Sequence, residues 1–168
     1  MKKQLLLVRH AKSDWENVGL KDLDRPLNAR GFTNAREMGE RLLCKNIMPN
    51  AIVSSPALRA ITTAQLIAEK INFAPKKIIQ NPSIYQASEI DLLSVVNQFD
   101  NALNVVALFG HNPGISEFAN YLCNASIYSL PTCGMVCIDF DTNNWAEVSG
   151  NTGQLKWIDY PNNTAQNQ

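Results

Sequence analysis

Apolar residues fall along this chain in two rhythms, and the change from one to the other separates strands from helices. Leu5-Leu6-Leu7-Val8 is a short unbroken apolar run, the mark of a strand buried on both faces, and it meets Arg9-His10 without a spacer. Phe32, Ala35, Met38, Gly39, Leu42 and Leu43 then recur at helical spacing behind Asn28, a good N-cap. Ala51-Ile52-Val53 is a second short strand. Ser55 behind it suits an N-cap and Pro56 the first position of a helix through Leu58, Ile61, Ala64, Leu66, Ile67 and Ala68. Residues 76–80 predict a third strand, and Ser88 with Asp91 a capping box for a helix through Ile90, Leu93, Val96 and Phe99. Residues 104–109 form another strongly apolar strand. It runs into Gly110-His111-Asn112-Pro113-Gly114, with Asn112 as N-cap and Pro113 opening a helix through Ile115, Phe118, Ala119 and Leu122. Residues 135–140, 145–148 and 155–158 read as later strands, with turns at Asn143-Asn144 and 150–153.

This alternation predicts a three-layer α/β/α sandwich around a central, mostly parallel sheet, the later strands antiparallel at one side. With 168 residues, 45% of them hydrophobic, the chain suits a single domain over residues 1–160, followed by a polar tail, 161–168, that is expected to fray. Fifteen Lys and Arg balance fifteen Asp and Glu, so no net field draws the chain to nucleic acid or an anionic membrane. Any anion must be held by locally arranged groups. No apolar run approaches membrane-spanning length, and Met1-Lys2-Lys3-Gln4 leads into too short an apolar stretch for a signal peptide. Cys44, Cys123, Cys133 and Cys137 lack zinc-type spacing and read as reduced thiols, Cys133 a structural one, which together predicts a cytoplasmic protein.

Between His10 and Pro26 lies a polar stretch without helical period, expected to form a long loop over the first strand end, with Trp15 either packed within it or lying over a site below. Three strands end at one edge of the sheet: the first with Arg9 and His10, the second leading to Arg59, the fourth with His111. These are the only two histidines in the chain, and both fall at strand carboxyl ends, where ligands of open α/β sheets collect. Two forked guanidiniums, a second imidazole and helix-terminal amides suit a tetrahedral dianion. A neutral His10, its other nitrogen tied to a backbone carbonyl, can attack phosphorus and form a phosphohistidine that water then hydrolyses.

Leu7-Val8-Arg9-His10-Ala11 resembles the Arg-His-Gly signature of the histidine phosphatase superfamily, whose fold is phosphoglycerate mutase-like. The likeness continues through Arg25-Pro26-Leu27, Arg30-Gly31, Ser54-Ser55-Pro56-Ala57-Leu58-Arg59-Ala60, Thr63-Ala64 and Gly110-His111-Asn112-Pro113-Gly114, and with the short length it is most similar to the SixA branch. That branch acts on phosphohistidine in histidine phosphotransfer domains. The resemblance implies His10 as nucleophile, Arg9, Arg59 and His111 as phosphate clamps, and Arg25 facing the phosphate from the first loop. From the residues alone Arg25 is a loop arginine packed or ion-paired near Pro26. Ser13 and Asn112 count as further phosphate- or substrate-binding candidates.

The departures carry information as well. Ala11 replaces the signature glycine, so the backbone there needs no positive φ. Glu16 stands where mutase-like members carry an asparagine, and a carboxylate there would repel the ligand. Larger members place an acid after the third strand, where this chain offers only Glu89, in the first turn of a helix, and Asp91, its capping partner. An alkoxide needs a proton to leave, whereas an imidazole, with a conjugate-acid pKa near ~6.5, departs readily. The absence of a dedicated acid therefore fits N–P better than O–P cleavage, and short connections leave the site open to a phosphorylated protein. No metal or other cofactor is expected. The alternatives are a small-molecule phosphomonoesterase or mutase on the same fold, acting on a small phosphorylated substrate, and a non-catalytic phospho-ligand-binding module. Residues 139–142 read as a strand end and turn rather than as an aspartate-based phosphatase motif.

Overall fold

The computed structural model describes residues 3–163. Six strands form one sheet: β1 (Lys3–Arg9), β2 (Ala51–Ser54), β3 (Ile79–Gln80), β4 (Val105–Gly110), β5 (Met135–Phe140) and β6 (Gly153–Asp159). Their order is β3-β2-β4-β1-β5-β6. The first four are mutually parallel, while β5 runs antiparallel to β1 and β6 to β5. The helices are α1 (Ala29–Cys44), α2 (Leu58–Lys70), α3 (Glu89–Asn97) and α4 (Gly114–Cys123).

β1 shows why the apolar run is unbroken. Leu6 and Val8 pack with Ala35, Met38 and Leu42 of α1 and Ala64 and Ile67 of α2, whereas Leu5 and Leu7 pack with Leu92, Val95, Ile115 and Phe118 of α3 and α4. Alternate side chains point to opposite faces, and both faces are covered. The expected three-layer sandwich and its antiparallel side are therefore as observed.

Asn28 accepts from the Gly31 amide and the Ser88/Asp91 capping box is complete. Other boundaries differ. α2 begins at Leu58 rather than Pro56, because the Ser55 hydroxyl accepts from Ala57 N at 3.2 Å instead of capping a helix that starts at the proline. α4 begins at Gly114, with Ile115 N donating to His111 O, and the Asn112 side chain is used elsewhere. The third strand is only two residues long, since Pro75–Lys77 forms a 3₁₀ turn. Residues 145–147 are also a 3₁₀ turn, not a strand: the Asn144 side chain caps Ala146 N, and the buried Trp145 ring meets Phe99 edge-on. In the tail Pro161 is buried and Asn163 N donates to Tyr160 O, so residues 161–163 are ordered against the domain, while 164–168 lie outside the described residues. No helix among the described residues is long and apolar enough to cross a membrane.

Candidate active site

β1 and β4 are neighbours, yet the helix that follows β1 packs on one face of the sheet and the helix that follows β4 on the other. The chain diverges there and leaves a crevice at the strand ends, the place where doubly wound sheets bind ligands. Register sets what lines it. Arg9 lies opposite Gly110 and Ser54 opposite Phe109, so His10, His111 and Ser55, each one residue further on, come together. Two backbone bonds lock the ends, His10 N to Gly110 O at 3.1 Å and Ser55 N to Phe109 O at 3.0 Å. The resulting cavity, about 380 Å³, is lined by Arg9, His10, Lys12, Ser13, Trp15, Arg25, Arg59, His111, Asn112 and Thr132. All seven site residues expected from the sequence are among them.

His10 is buried, and its Nδ1 sits 2.7 Å from Ala11 O. A carbonyl only accepts, so Nδ1 carries the proton and Nε2 keeps its lone pair. Burial, reinforced by the charges of Arg59 and Arg9 and by His111, pushes the imidazole pKa down to about 3. At neutral pH the ring is uncharged, with the Nε2 lone pair available. Ala11 has no positive φ, and its amide donates to Thr63 Oγ1, which in turn donates to Arg59 O, tying the His10 loop to α2.

The second imidazole is oriented by a serine. His111 Nε2 lies 2.7 Å from Ser55 Oγ, whose oxygen also accepts from Ala57 N. Nδ1 is buried with no partner, and it bears the ring proton in the tautomer whose Nε2 accepts from the Ser55 hydroxyl. Burial, with Arg59 adding to it, brings this pKa down to about 4. The two rings stand 5.2 Å apart.

The guanidiniums lining the cavity are already partly engaged by the protein. Arg59 donates Nη1 to Asp22 O at 2.7 Å and Nη2 to Asp22 Oδ2 at 3.0 Å. Arg9 donates Nη1 to Leu130 O at 2.8 Å. In both residues Nε is buried and without a partner. Arg25 is ion-paired as its loop position suggested, to Asp22 at 3.1 Å, and it also donates to Ser13 Oγ while lining the cavity. Its guanidinium lies 3.6 Å from the centre of the Trp15 ring, which is 73% exposed at the cavity mouth rather than packed into its loop. The Asn112 amide donates to Leu130 O and Ser129 Oγ, and its oxygen accepts from Ser116 Oγ. It pins the 129–130 segment at the rim.

Two residues passed over in the sequence complete the surroundings. Asp22 lies in a 3₁₀ turn of the first loop, and its Oδ2 accepts from Tyr85 OH at 2.5 Å as well as from Arg59. The Tyr85 hydroxyl, and after it the Arg59 and Arg25 guanidiniums, hold the Asp22 carboxyl well below the usual carboxylate range. Tyr85 meets His111 edge-on at 5.7 Å. The only sequence signal for Asp22 is its i, i+3 spacing to Arg25. Asp91 is occupied in its capping box, and neither it nor Glu89 or Glu16 lines the cavity. A larger groove, about 760 Å³, runs between α3 and the β2–β3 edge, but its lining has no imidazole or guanidinium. Cys133 is fully buried, and burial pushes its thiol up to about 12, which fits a structural role.

Residues 5–84 match the family model of the histidine phosphatase superfamily, branch 1. An uncharacterized chloroplastic protein of Arabidopsis thaliana is 29% identical over 163 residues, 92% of this chain and 74% of that protein. Phosphoglycerate mutase 1 of Saccharomyces cerevisiae is 38% identical over 69 residues, only 28% of its length. The fold is that of the SixA protein of Agrobacterium tumefaciens, at a TM-score of 0.80 and 24% identity over 95% of this chain and 98% of that one. A structure of the protein histidine phosphatase SixA complexed with tungstate follows at 0.75 and 20% identity, over 94% and 97%.

Proposed function

We propose that the chain, which matches the histidine phosphatase superfamily over residues 5–84, is a phosphatase that hydrolyses phosphohistidine on a protein through a covalent phospho-His10 intermediate. One observation carries the reading. Three buried nitrogens without partners, Arg9 Nε, Arg59 Nε and His111 Nδ1, belong to residues lining the same cavity as the free Nε2 of His10. Buried donors are almost always satisfied, and each one left unpaired costs about 1–3 kcal/mol. We take them as the donors for the oxygens of a bound phosphoryl group, His111 in the tautomer protonated on Nδ1.

His10 Nε2 attacks phosphorus, the bond to the leaving nitrogen breaks, and its electron pair stays with the departing ring. Water then attacks phospho-His10 and releases phosphate. Arg9, Arg59 and His111 stabilise the charge on the transferring oxygens, with Arg25 at the mouth and Ser13 and Asn112 holding the surrounding loops.

The choice of N–P over O–P substrates rests on proton supply. Asp22 is the carboxylate nearest the site, and its partners keep it ionised at neutral pH, so it has no proton for an alkoxide. A histidine phosphotransfer domain, or another protein displaying phosphohistidine, is the proposed partner, and four free thiols fit the reducing cytoplasm. The test compares turnover of a phosphohistidine peptide, a sugar phosphate and 4-nitrophenyl phosphate. His10→Ala should abolish all of it. Retained hydrolysis in that variant removes His10 as nucleophile, and a preference for the sugar phosphate removes the leaving-group reading.

A further inference from the structure

Beside the His10 cavity lies a second one of about 500 Å³, with which it shares Arg59, His111 and Asn112. Asp22, Tyr85, Gln86, Ser88 and Glu117 complete the charged and polar part of its wall. An in-line displacement places the nucleophile and the leaving group on opposite sides of phosphorus. His10 lines only the first cavity while Arg59 and His111 line both, so the second is the side on which a leaving group can be held.

That second cavity suits a protonated ring. A phosphorylated imidazole expels a poor, anionic leaving group when its other nitrogen is bare, and a neutral imidazole when that nitrogen carries a proton. Asp22 is placed to hold that proton. Its Oδ2 is engaged by Arg59 and Tyr85, whereas Oδ1 accepts only from Arg25 Nη2, and the side chain is 45% exposed. A carboxylate oxygen has room for two donors, so Oδ1 can take one more. The groups facing Asp22 from other elements are Arg59, Tyr85 and His111, with Arg25 in its own loop and Glu117 as a second carboxylate in the same cavity.

We propose that Asp22 is a further catalytic residue, which accepts a hydrogen bond from the distal N–H of the leaving imidazole and keeps the phosphorylated ring protonated until the P–N bond breaks. The electron pair of that bond returns to the leaving nitrogen, the proton stays on the distal one, and a neutral imidazole departs with no net proton transfer to Asp22. The inference rests on phosphohistidine being the substrate.

The experiment measures kcat/KM against pH for wild type and Asp22→Asn on a phosphohistidine peptide and on 4-nitrophenyl phosphate, whose leaving oxygen needs no proton. Asparagine keeps an amide oxygen for Arg59, so the clamp retains a partner. D22N should lose about tenfold more on the phosphohistidine peptide than on 4-nitrophenyl phosphate, and the alkaline fall of its peptide profile should begin about one pH unit lower than in wild type, a tenfold change being about one unit. Asp22→Glu, which restores a carboxylate, should recover part of the preference. Equal losses on both substrates overturn the inference, because Asp22 then only positions arginines. Equal gains overturn it too, because Asp22 then only competes with phosphate. A wild type that leaves phosphohistidine untouched overturns the underlying function, a result distinct from either.

Discussion

Replacing Ser55 by alanine tests how the site orients its second imidazole. The hydroxyl lies 2.7 Å from His111 Nε2 and accepts from Ala57 N at 3.2 Å, in fully buried surroundings. Its loss frees two choices in His111, which nitrogen carries the proton and which way the ring faces. If the four combinations are comparable, about one state in four still points an N–H at phosphate, a loss of roughly fourfold in kcat/KM, or about 0.8 kcal/mol. Deleting the donor outright by His111→Ala should cost on the order of a hundredfold, the usual effect of removing one transition-state donor.

The assay is a double-mutant cycle with 4-nitrophenyl phosphate as substrate. Ser55→Ala should cost about fourfold in the wild-type background and almost nothing beside His111→Ala, because the group it orients is gone. A urea titration runs alongside, since the Ala57 amide loses its acceptor and stability should fall by about 1–3 kcal/mol. A fourfold loss that persists in the His111→Ala background refutes the orientation argument and leaves Ser55 as a purely structural residue.

Three further outcomes follow from the same geometry. His10 and His111, with folded pKa values of about 3 and about 4 against ~6.5 in an unfolded chain, should stay neutral from pH 7 to pH 5 in 15N spectra of the imidazoles, and a titration near 6.5 would contradict their burial. Between those values the unfolded chain binds more protons, so stability should drop as pH falls below about 6.5, measured as a falling urea midpoint. Gly31→Ala would place a Cβ 2.2 Å from Lys12 O, in the loop that carries His10, and no flexible side chain is there to yield. It should cost about 1–3 kcal/mol of stability and lower kcat/KM, and a variant with wild-type values of both would show that the loop moves freely.

The part of the site that could be read in advance is the part fixed by strand ends. A parallel register needs only two apolar runs to bring their last residues side by side, so Leu5 to His10 and residues 104–111 carry both histidines to one edge without further information. What stayed hidden depends on contacts that no local pattern records. Tyr85 reaches Asp22 across 63 positions, and Arg59 reaches it across 37. Ser55 shows how one residue satisfies two rules: its place before a proline suggests a cap, while its hydroxyl serves a histidine from another strand. Trp145 reads as a strand residue by composition, but burial against Phe99 and a bond from its indole N–H to Leu103 O settle it in a turn.

Charge explains why Asp22 does not spoil an anion site. The chain has no net charge, so the pocket must make its own field, and both imidazoles in it are neutral at pH 7. Arg9, Arg25 and Arg59 against Asp22 leave two positive charges around His10, with the exposed Lys12 at the rim. A phosphoryl group brings a charge of about −1.5 to −2, so the balance is close to neutral once it is bound. Without the Asp22 carboxylate the cluster would keep an unmatched cation, and Arg59 Nη2 would lose its partner while Nη1 kept the backbone carbonyl. With Asp22 in place the terminal nitrogens of Arg59 are held by the carboxylate and the backbone, while its Nε stays buried without a partner. The carboxylate that opposes phosphate by its charge is thus also what holds Arg59 and Arg25 in place beside the cavity.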